Sequence, residues 1–292
     1  MSEDQTLWRI ALDLPDAQVD MFEPVVEDLV ESIMWTVDEP RGMQRMEGFT
    51  TVQPDAAHVA GVLKTAADSF GVDVPEADIE ELAPRDWVAE NLKDFPPIDA
   101  GRFFIYASHV DERPLAGRIP IRIDPGAAFG TGTHATTSGC LEALEDLGKR
   151  HRFVKPLDVG TGSGILAIAM AKMWKLKVLG TDIDPVAIEV ADQNAKLNGV
   201  ADDLDFRVGP GFKAVANYER FDLIVANILA RPLTGIAPDF GRALAPGGYG
   251  VLSGLIERDE RFVLSPYMNQ GLVLERRYVR DGWLTLVLKK RG

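Results

Sequence analysis

From residue 153 onward, the hydrophobic pattern switches repeatedly between short apolar runs and segments with helical spacing. The short runs predict strands, and the segments with apolar positions every three or four residues predict helices. In chain order they are FVKPLDV, GILAIAMAKMW, KVLGTDI, PVAIEVADQNAKLNG, DLDFRVG, FDLIVAN and GGYGVLSGL. The second of these helices has Asp184 as a predicted N-cap, Pro185 in its first turn and Gly199 at its end. Repeated strand–helix units predict a parallel sheet with helices on both faces.

The final segment, LVLERRYVRDGWLTLVLKK, predicts two strands joined at Asp281 and Gly282. An Asp-Gly pair between two alternating strands is a strong signal for a tight hairpin. We therefore expect the sheet to finish with an antiparallel strand.

The first 84 residues predict a different order: strand, helix, strand, strand, helix and a final strand. LWRIALDLP alternates as a strand does, and DAQVDMFEPVVEDLVESI has helical spacing around Pro24. MWTVDE and GMQRMEGFTTVQ predict a pair of strands, and Asp55 and Gly71 bound the predicted helix AAHVAGVLKTAADSF. This order favours a small α+β domain of the ferredoxin-like type.

Between the two regions, DWVAENLKDFPPI predicts a short helix that stops at Pro96 and Pro97. We expect an N-terminal domain over 1–84, a linker helix over 85–99 and a second domain over 100–292. GRFFIYAS and GRIPIRID predict strands at the entry to the second domain, and TTSGCLEALEDLG predicts its first helix. A glycine-rich loop within DPGAAFGTGTHATT, residues 124–137, separates these strands from that helix.

A second glycine run, DVGTGSG, lies between the first strand of the repeated units and the helix that follows. Gly160 and Gly162 permit a tight turn and the close approach of a ligand, although glycines also serve plain strand–helix turns. The spacing differs from the Gly-x-Gly-x-x-Gly of dinucleotide-binding proteins. Asp158, at the strand end, would repel a pyrophosphate and suit a cationic ligand. Asp182 ends the next strand, where an acid accepts hydrogen bonds from ribose hydroxyls; a capping or turn role is the alternative for both aspartates.

S-adenosylmethionine has the groups that these two aspartates favour, because it carries a ribose, an ammonium and a sulfonium but no phosphate. The predicted antiparallel end of the sheet agrees, and this part of the chain resembles the seven-stranded class I methyltransferases. That resemblance implies an α/β fold with a Rossmann-like sheet whose last strand is antiparallel.

Asn227 ends the strand FDLIVAN, at the sheet edge that faces the ligand in such folds. Class I enzymes that methylate amines or amides often carry Asn-Pro-Pro-Tyr here, and this chain has the variant NILA. An amide oxygen can accept a hydrogen bond from the attacking amine and orient its lone pair. The alternative is a turn residue after a strand.

Five segments in this order point to one family: DPGAAFGTGTHATTSGCLEAL, DVGTGSGILAIA, GTDIDPVAI, VANILARPL and LSGLI. Together they resemble the ribosomal protein L11 methyltransferases, strongly over residues 95–292 and weakly before them. The resemblance implies an N-terminal domain that binds the ribosomal protein, a flexible linker and a catalytic domain. It also implies methylation of lysine side chains and of the N-terminal α-amine.

Carried over by motif, the cofactor contacts implied by the resemblance are Thr137, Gly160, Asp182 and Asn227. We expect the glycine-rich loop to fold over the methionine end of the cofactor, with a hydroxyl from Thr137 and with Phe129 shielding the sulfonium from water. Ala135 stands where the family often has proline, which alters the stiffness of the loop rather than the chemistry. His134 is a rival candidate for a general base, and its alternative role is structural.

Charge is distributed unevenly along the 292 residues, whose net charge is −14. The first 100 residues carry 23 acids and six bases, so the acidity belongs to the N-terminal third. Such a surface repels nucleic acid and attracts basic partners, or it serves solubility alone. We therefore expect a basic ribosomal protein as the partner, with no direct nucleic-acid binding.

The composition gives little support to a membrane, secreted, disulfide-bonded or metal-binding protein. No apolar run reaches the roughly 20 residues of a membrane span, and the acidic start is unlike a secretory signal, so we expect a cytoplasmic protein. A single cysteine, Cys140, excludes an intrachain disulfide, and no metal-ligand cluster is evident. Two alternative functions stay open: methylation of another protein lysine or of a small-molecule amine, and nicotinamide-dependent oxidoreduction.

Overall fold

The fold is described from a computed structural model. It covers residues 7–30, 32–38, 42–82, 97–108, 116–123, 134–215 and 219–292. The chain divides into two compact units, Met1–Trp87 and Val88–Gly292.

The first unit is a four-stranded antiparallel sheet with two helices. Its elements are β1 (Leu7–Pro15), α1 (Val19–Glu27), β2 (Ser32–Asp38), β3 (Met43–Thr50), α2 (Ala56–Phe70) and β4 (Ala77–Leu82). The strands lie in the order β2-β3-β1-β4. This order and the two helices give the ferredoxin-like arrangement expected from the sequence.

One face of this sheet forms the core of the first unit. Strand alternation places Ile10, Leu12 and Leu14 on that face, where they pack with Phe22 of α1 and Leu63 of α2. Helix α2 begins as predicted, with the carboxylate of the Asp55 cap accepting from two backbone amides.

Helix α1 is shorter than the sequence pattern suggested. The pattern predicted helix up to residue 33, whereas α1 ends at Glu27. Residues from Ser32 onward instead pair with β3, so the sheet satisfies their backbone hydrogen-bonding groups. Pro24 is accommodated inside the helix.

The second unit begins with a small three-stranded sheet. It contains β5 (Ile98–Ala100), β6 (Phe103–Tyr106) and β7 (Ile119–Arg122). The two strands expected at the entry to the second domain correspond to β6 and β7. The predicted linker helix over 85–99 falls largely outside the described residues, and its last two residues, Ile98 and Asp99, lie in β5.

The main sheet of the second unit has seven strands in the order β10-β9-β8-β11-β12-β14-β13. Its strands are β8 (Pro156–Val159), β9 (Val178–Asp182), β10 (Leu204–Val208), β11 (Phe221–Asn227), β12 (Leu244–Ile256), β13 (Leu272–Arg280) and β14 (Trp283–Lys290). The helices are α3 (His134–Arg150), α4 (Ile165–Trp174), α5 (Pro185–Leu197), α6 (Ala230–Ala243) and α7 (Glu260–Met268). Neighbouring strands run parallel from β10 to β12, and β14 is antiparallel to both of its neighbours.

Both faces of the main sheet are buried, which explains the nearly continuous apolar runs of its strands. Along β11, Leu223 and Val225 pack with the α3 and α4 side, while Ile224 and Ala226 pack with the α6 and α7 side. The sheet therefore forms the middle layer between two layers of helices.

The hairpin between β13 and β14 confirms the sequence prediction. Asp281 and Gly282 both have positive φ values, 49° and 78°, as a two-residue turn of the type I′ class requires. The antiparallel strand β14 does not lie at the sheet edge. It inserts between β12 and β13, and β13 forms the edge.

Within the described ranges, no helix combines the length and the apolarity that a bilayer span requires.

We predict that Asp184→Ala destabilises the second unit by about 1 kcal/mol, the usual cost of losing an N-cap. The Asp184 side chain accepts from the backbone amide of Val186 at 2.8 Å, and Ala cannot replace that bond. Urea unfolding of the two proteins measures the difference. Asp184→Asn keeps a capping oxygen and is the control. Equal midpoints for the Ala variant and the native protein would contradict the capping role.

Candidate functional site

The carboxyl ends of β8 and β11 form the crevice of the main sheet. These strands are neighbours, yet the chain continues from β8 to β9 on one side and from β11 to β12 on the other. Such a reversal of strand order opens a crevice where open α/β sheets bind ligands. Asp158 lies in β8, Asp182 ends β9 and Asn227 ends β11, so this sheet edge brings the three predicted polar residues together.

The glycine turn after β8 has a backbone that only glycine adopts easily. Gly160, Gly162 and Gly164 have φ values of 71°, 53° and 83°. The amides of Gly160 and Thr161 donate to the carbonyl of Thr181 at 2.8 and 3.0 Å, which fixes the turn to the end of β9. Both predicted glycines therefore lie in a tight turn at the crevice.

Asp182 connects this turn to the beginning of α5. Its Oδ2 accepts from the amide of Gly162 at 2.8 Å, and its Oδ1 accepts from the amide of Asp184 at 3.0 Å. The residue is half-buried. A carboxylate has about four lone-pair positions, so these two bonds leave further capacity for ligand hydroxyls.

Asp158 is a buried carboxylate whose second oxygen lacks a partner in the described chain. The residue is 1% exposed. Its Oδ2 accepts from Thr161 Oγ1 at 2.7 Å and from the amide of Ala167 at 3.2 Å, whereas Oδ1 makes no hydrogen bond. Burial raises the pKa of Asp158 to about 7, the two hydrogen bonds oppose that rise, and the charge of Asp182 adds to it. A cationic group near Oδ1 would compensate for this burial, whereas a phosphate would be repelled.

Asn227 faces the first turn of α3. The residue is half-buried, and its Nδ2 donates to Oγ1 of Thr136 at 3.4 Å. That bond leaves the amide oxygen available as an acceptor.

The backbone after Asn227 is held by the neighbouring strand. The amide of Ile228 donates to the carbonyl of Ser253 at 3.1 Å. A Cβ atom at Gly254, which has a φ of 86°, would overlap with the backbone of Ile228. A Cβ atom at Gly160 would overlap with the Ile228 side chain. The end of β11 is thus packed between the glycine turn and β12.

The remaining predicted residues belong to the glycine-rich loop and the helix after it. Thr137 is 3% exposed and lies in the first turn of α3. Phe129 falls within 124–133, outside the described residues. His134 begins α3, although its side chain is also outside the description.

Two hydroxyl residues at this site, Thr136 and Ser253, were not among the residues predicted from the sequence. Thr136 contacts Asn227, and Ser253 is the residue of β12 in register with Asn227. A signal for Thr136 was present, because it precedes Thr137 in the same predicted helix turn. Among the described residues, no group of three or more potential ligands could hold a metal ion.

Comparison with known proteins finds the same family by sequence profile, by individual relatives and by solved structure. The sequence profile of the family described as "Ribosomal protein L11 methyltransferase (PrmA)" matches residues 16–291. The chain is similar to the ribosomal protein L11 methyltransferase of Chelativorans sp. (strain BNC1), with 41% identity over 266 residues, 90% of this chain and 91% of that protein. It is also similar to the protein of the same name from Brucella suis biovar 1, with 42% identity over 255 residues and 87% of each chain. A crystal structure of ribosomal protein L11 methylase from Lactobacillus delbrueckii subsp. bulgaricus is similar with 30% identity and a TM-score of 0.62, covering 68% of this chain and 99% of that chain.

We predict that Asp158→Asn changes how stability depends on pH. The pKa of Asp158 is raised from 3.8 to about 7 in the folded protein, so the unfolded chain ionises first as the pH rises. This carboxyl therefore lowers the free energy of unfolding progressively between about pH 4 and pH 7, with no further change above pH 7. The asparagine variant should gain stability relative to the native protein across that interval. Urea unfolding at several pH values measures the gain.

Asp202→Asn, which removes a charge from an exposed position, is the control for this measurement. A stability difference between Asp158→Asn and the native protein that stays constant from pH 4 to pH 7 would contradict the assignment.

Proposed function

The chain belongs to the ribosomal protein L11 methyltransferase family, and on that premise we propose that it methylates lysine side chains and the N-terminal α-amine of ribosomal protein L11. The chain is an S-adenosylmethionine-dependent methyltransferase with the class I fold. The observation that carries the proposal is the joint position of Asp158, Asp182 and Asn227 at one crevice of the sheet. The carboxylates of Asp158 and Asp182 suit a cofactor with cationic groups and ribose hydroxyls. The amide oxygen of Asn227 can accept a hydrogen bond from the amine that is methylated.

The residues of the crevice fit S-adenosylmethionine. Burying the unpaired Oδ1 of Asp158 costs free energy that a nearby cationic group would offset. The ammonium and the sulfonium of this cofactor are such groups. Asp182 would accept from the ribose hydroxyls, and the turn at Gly160 and Gly162 would let the cofactor lie close to the backbone. Thr137 and Phe129 would hold the methionine end. When bound, the cofactor supplies an electrophilic methyl group on sulfur.

The acceptor amine must be neutral before it can attack the methyl carbon. A lysine with a pKa near 10.4 lies about three pH units above physiological pH, which corresponds to about 4 kcal/mol. Desolvation in a narrow crevice lowers that pKa. The neutral amine would accept the methyl group that the cofactor supplies, and the proton that the nitrogen then carries would pass to water. In this proposal the Asn227 oxygen orients the amine and no side chain is a dedicated base.

The N-terminal domain, residues 1–84, would recruit the substrate, with residues 85–99 as the linker and 100–292 as the catalytic domain. Its acidic composition supports a basic protein partner, because a negative surface repels nucleic acid and attracts cations. Ribosomal proteins that contact RNA are of this basic kind. The reaction would accordingly take place in the cytoplasm.

We predict that Asp182→Asn weakens S-adenosylmethionine binding by about tenfold or more. The variant keeps one amide oxygen but loses the negative charge and one acceptor oxygen, and hydrogen bonds to charged groups contribute about 1.5–3 kcal/mol. Calorimetric titration measures the dissociation constant. Asp184→Asn makes the same chemical change two residues away and retains a capping oxygen, so it should bind normally. An unchanged dissociation constant for Asp182→Asn would remove this residue from the cofactor site.

We predict that the full chain transfers labelled methyl groups from S-adenosylmethionine into L11 within a mixture of bacterial ribosomal proteins. Deletion of residues 1–84 should abolish this transfer while cofactor binding remains, because recognition and chemistry would lie in different domains. Scintillation counting of separated proteins gives the readout, and calorimetry reports cofactor binding.

Label in another protein, or only in a small-molecule amine, would favour the alternative substrates. Preferential binding of NAD over S-adenosylmethionine would favour an oxidoreductase and overturn the proposal.

A further inference from the structure

The first turn of α3 is attached to the ends of two sheet strands through hydroxyl groups. Asn227 of β11 and Ser253 of β12 are in register. Asn227 Nδ2 donates to Thr136 Oγ1 at 3.4 Å, and Ser253 Oγ lies 3.5 Å from the backbone carbonyl of Thr136. Both distances are long for hydrogen bonds. Thr136 is 3% exposed, so these contacts lie in a region from which water is largely excluded.

Ser253 is itself fixed from the opposite side by β14. Its Oγ lies 2.8 Å from Thr285 Oγ1 and 3.3 Å from the carbonyl of Leu284, and the serine is 0% exposed. A serine hydroxyl has one hydrogen and two lone pairs, so Ser253 can donate to a carbonyl while it accepts from Thr285. The Ser253 hydroxyl therefore lies within hydrogen-bonding distance of both β14 and the first turn of α3, and its single hydrogen is shared between the carbonyls of Leu284 and Thr136.

Helix α3 also packs directly on β14, where Gly139 faces Thr285. A Cβ atom at Gly139 would overlap with Oγ1 of Thr285. The missing side chain lets the helix lie close to the sheet, one turn after Thr136. The distance between Thr136 and the end of β11 is thereby set by backbone packing.

We propose that Thr136 is a positioning residue for methyl transfer, whose hydroxyl holds the Asn227 amide with Oδ1 directed to the acceptor amine. The proposal rests on the amine-methylating function proposed above and names a further residue for it. Thr136 acts through Asn227 and does not itself touch the amine.

The orientation of the amide matters because its two ends have opposite hydrogen-bonding character. An oxygen that faces a neutral amine accepts its hydrogen and leaves the nitrogen lone pair free to attack. An NH2 group in the same place donates to that lone pair and blocks the attack. Without the Thr136 hydroxyl, the Asn227 Nδ2 loses the acceptor to which it donates in this orientation.

The experiment compares Thr136→Val with Thr136→Ser in the full-length protein. Valine keeps the shape and removes the hydroxyl, whereas serine keeps the hydroxyl. Thr234→Val is the matched control, because among the described residues the Thr234 hydroxyl bonds within its own helix, to the carbonyl of Arg231. Single-turnover methyl transfer to ribosomal protein L11, calorimetric titration with S-adenosylmethionine and urea unfolding are measured on each protein.

For Thr136→Val we expect transfer to slow about tenfold, the effect of one hydrogen bond in the transition state, with cofactor affinity within about twofold. Thr136→Ser should restore most of the rate. A native single-turnover rate in Thr136→Val would overturn the proposal, and so would a loss of rate that the serine variant shares.

A second measurement does not depend on which molecule accepts the methyl group. The side-chain amide signals of Asn227, assigned by their absence in Asn227→Asp, should shift in the nitrogen–proton NMR spectrum of Thr136→Val and stay near their native positions in Thr136→Ser. Unchanged signals in the valine variant would overturn the contact. If the native protein does not methylate L11 while these signals respond as expected, the proposed substrate fails and the positioning contact stands.

Discussion

The arrangement of the site depends on the close packing of Ile228 between two glycines. Side chains at Gly160 and Gly254 would occupy the space that Ile228 fills, one from the glycine turn after β8 and the other from β12. Because neither has a side chain, Ile228 packs against the glycine turn on one side and against β12 on the other. This packing lies beside the acid of β8 and the amide of β11, which the pairing of these two strands brings to the same crevice. Protein interiors transmit such constraints because they are close-packed.

Local signals in the sequence predicted the local structure well. The Asp55 and Asp184 caps and the Asp281-Gly282 turn each depend on a few adjacent residues, and the structure contains all three. The end of α1 and the internal place of β14 depend on pairing between distant segments. Helical spacing continued past Glu27, and only pairing with β3 explains why the helix ends there.

The same distinction applies to the site. Asp158, Asp182 and the glycine turn lie within one strand–turn–helix–strand segment, so spacing alone indicated their chemistry. Thr136 and Ser253 are 117 residues apart, and only the packing of α3 on the sheet brings them together. No periodicity marks such a pair. The unpaired oxygen of Asp158 is likewise a property of the folded environment, although the residue itself and a preference for a cationic ligand were predicted from its place at the strand end.

The internal position of β14 affects the order in which the main sheet can form during synthesis. This strand is synthesised after all its sheet neighbours, yet it lies between β12 and β13 and carries Thr285, which bonds to Ser253. Until it leaves the ribosome, β12 has an unpaired edge, and such edges promote aggregation. The contact between Ser253 and Thr285 behind the crevice can form only at that late stage. A nascent chain therefore already contains the glycine turn after β8 while the strand that supports Ser253 is still missing.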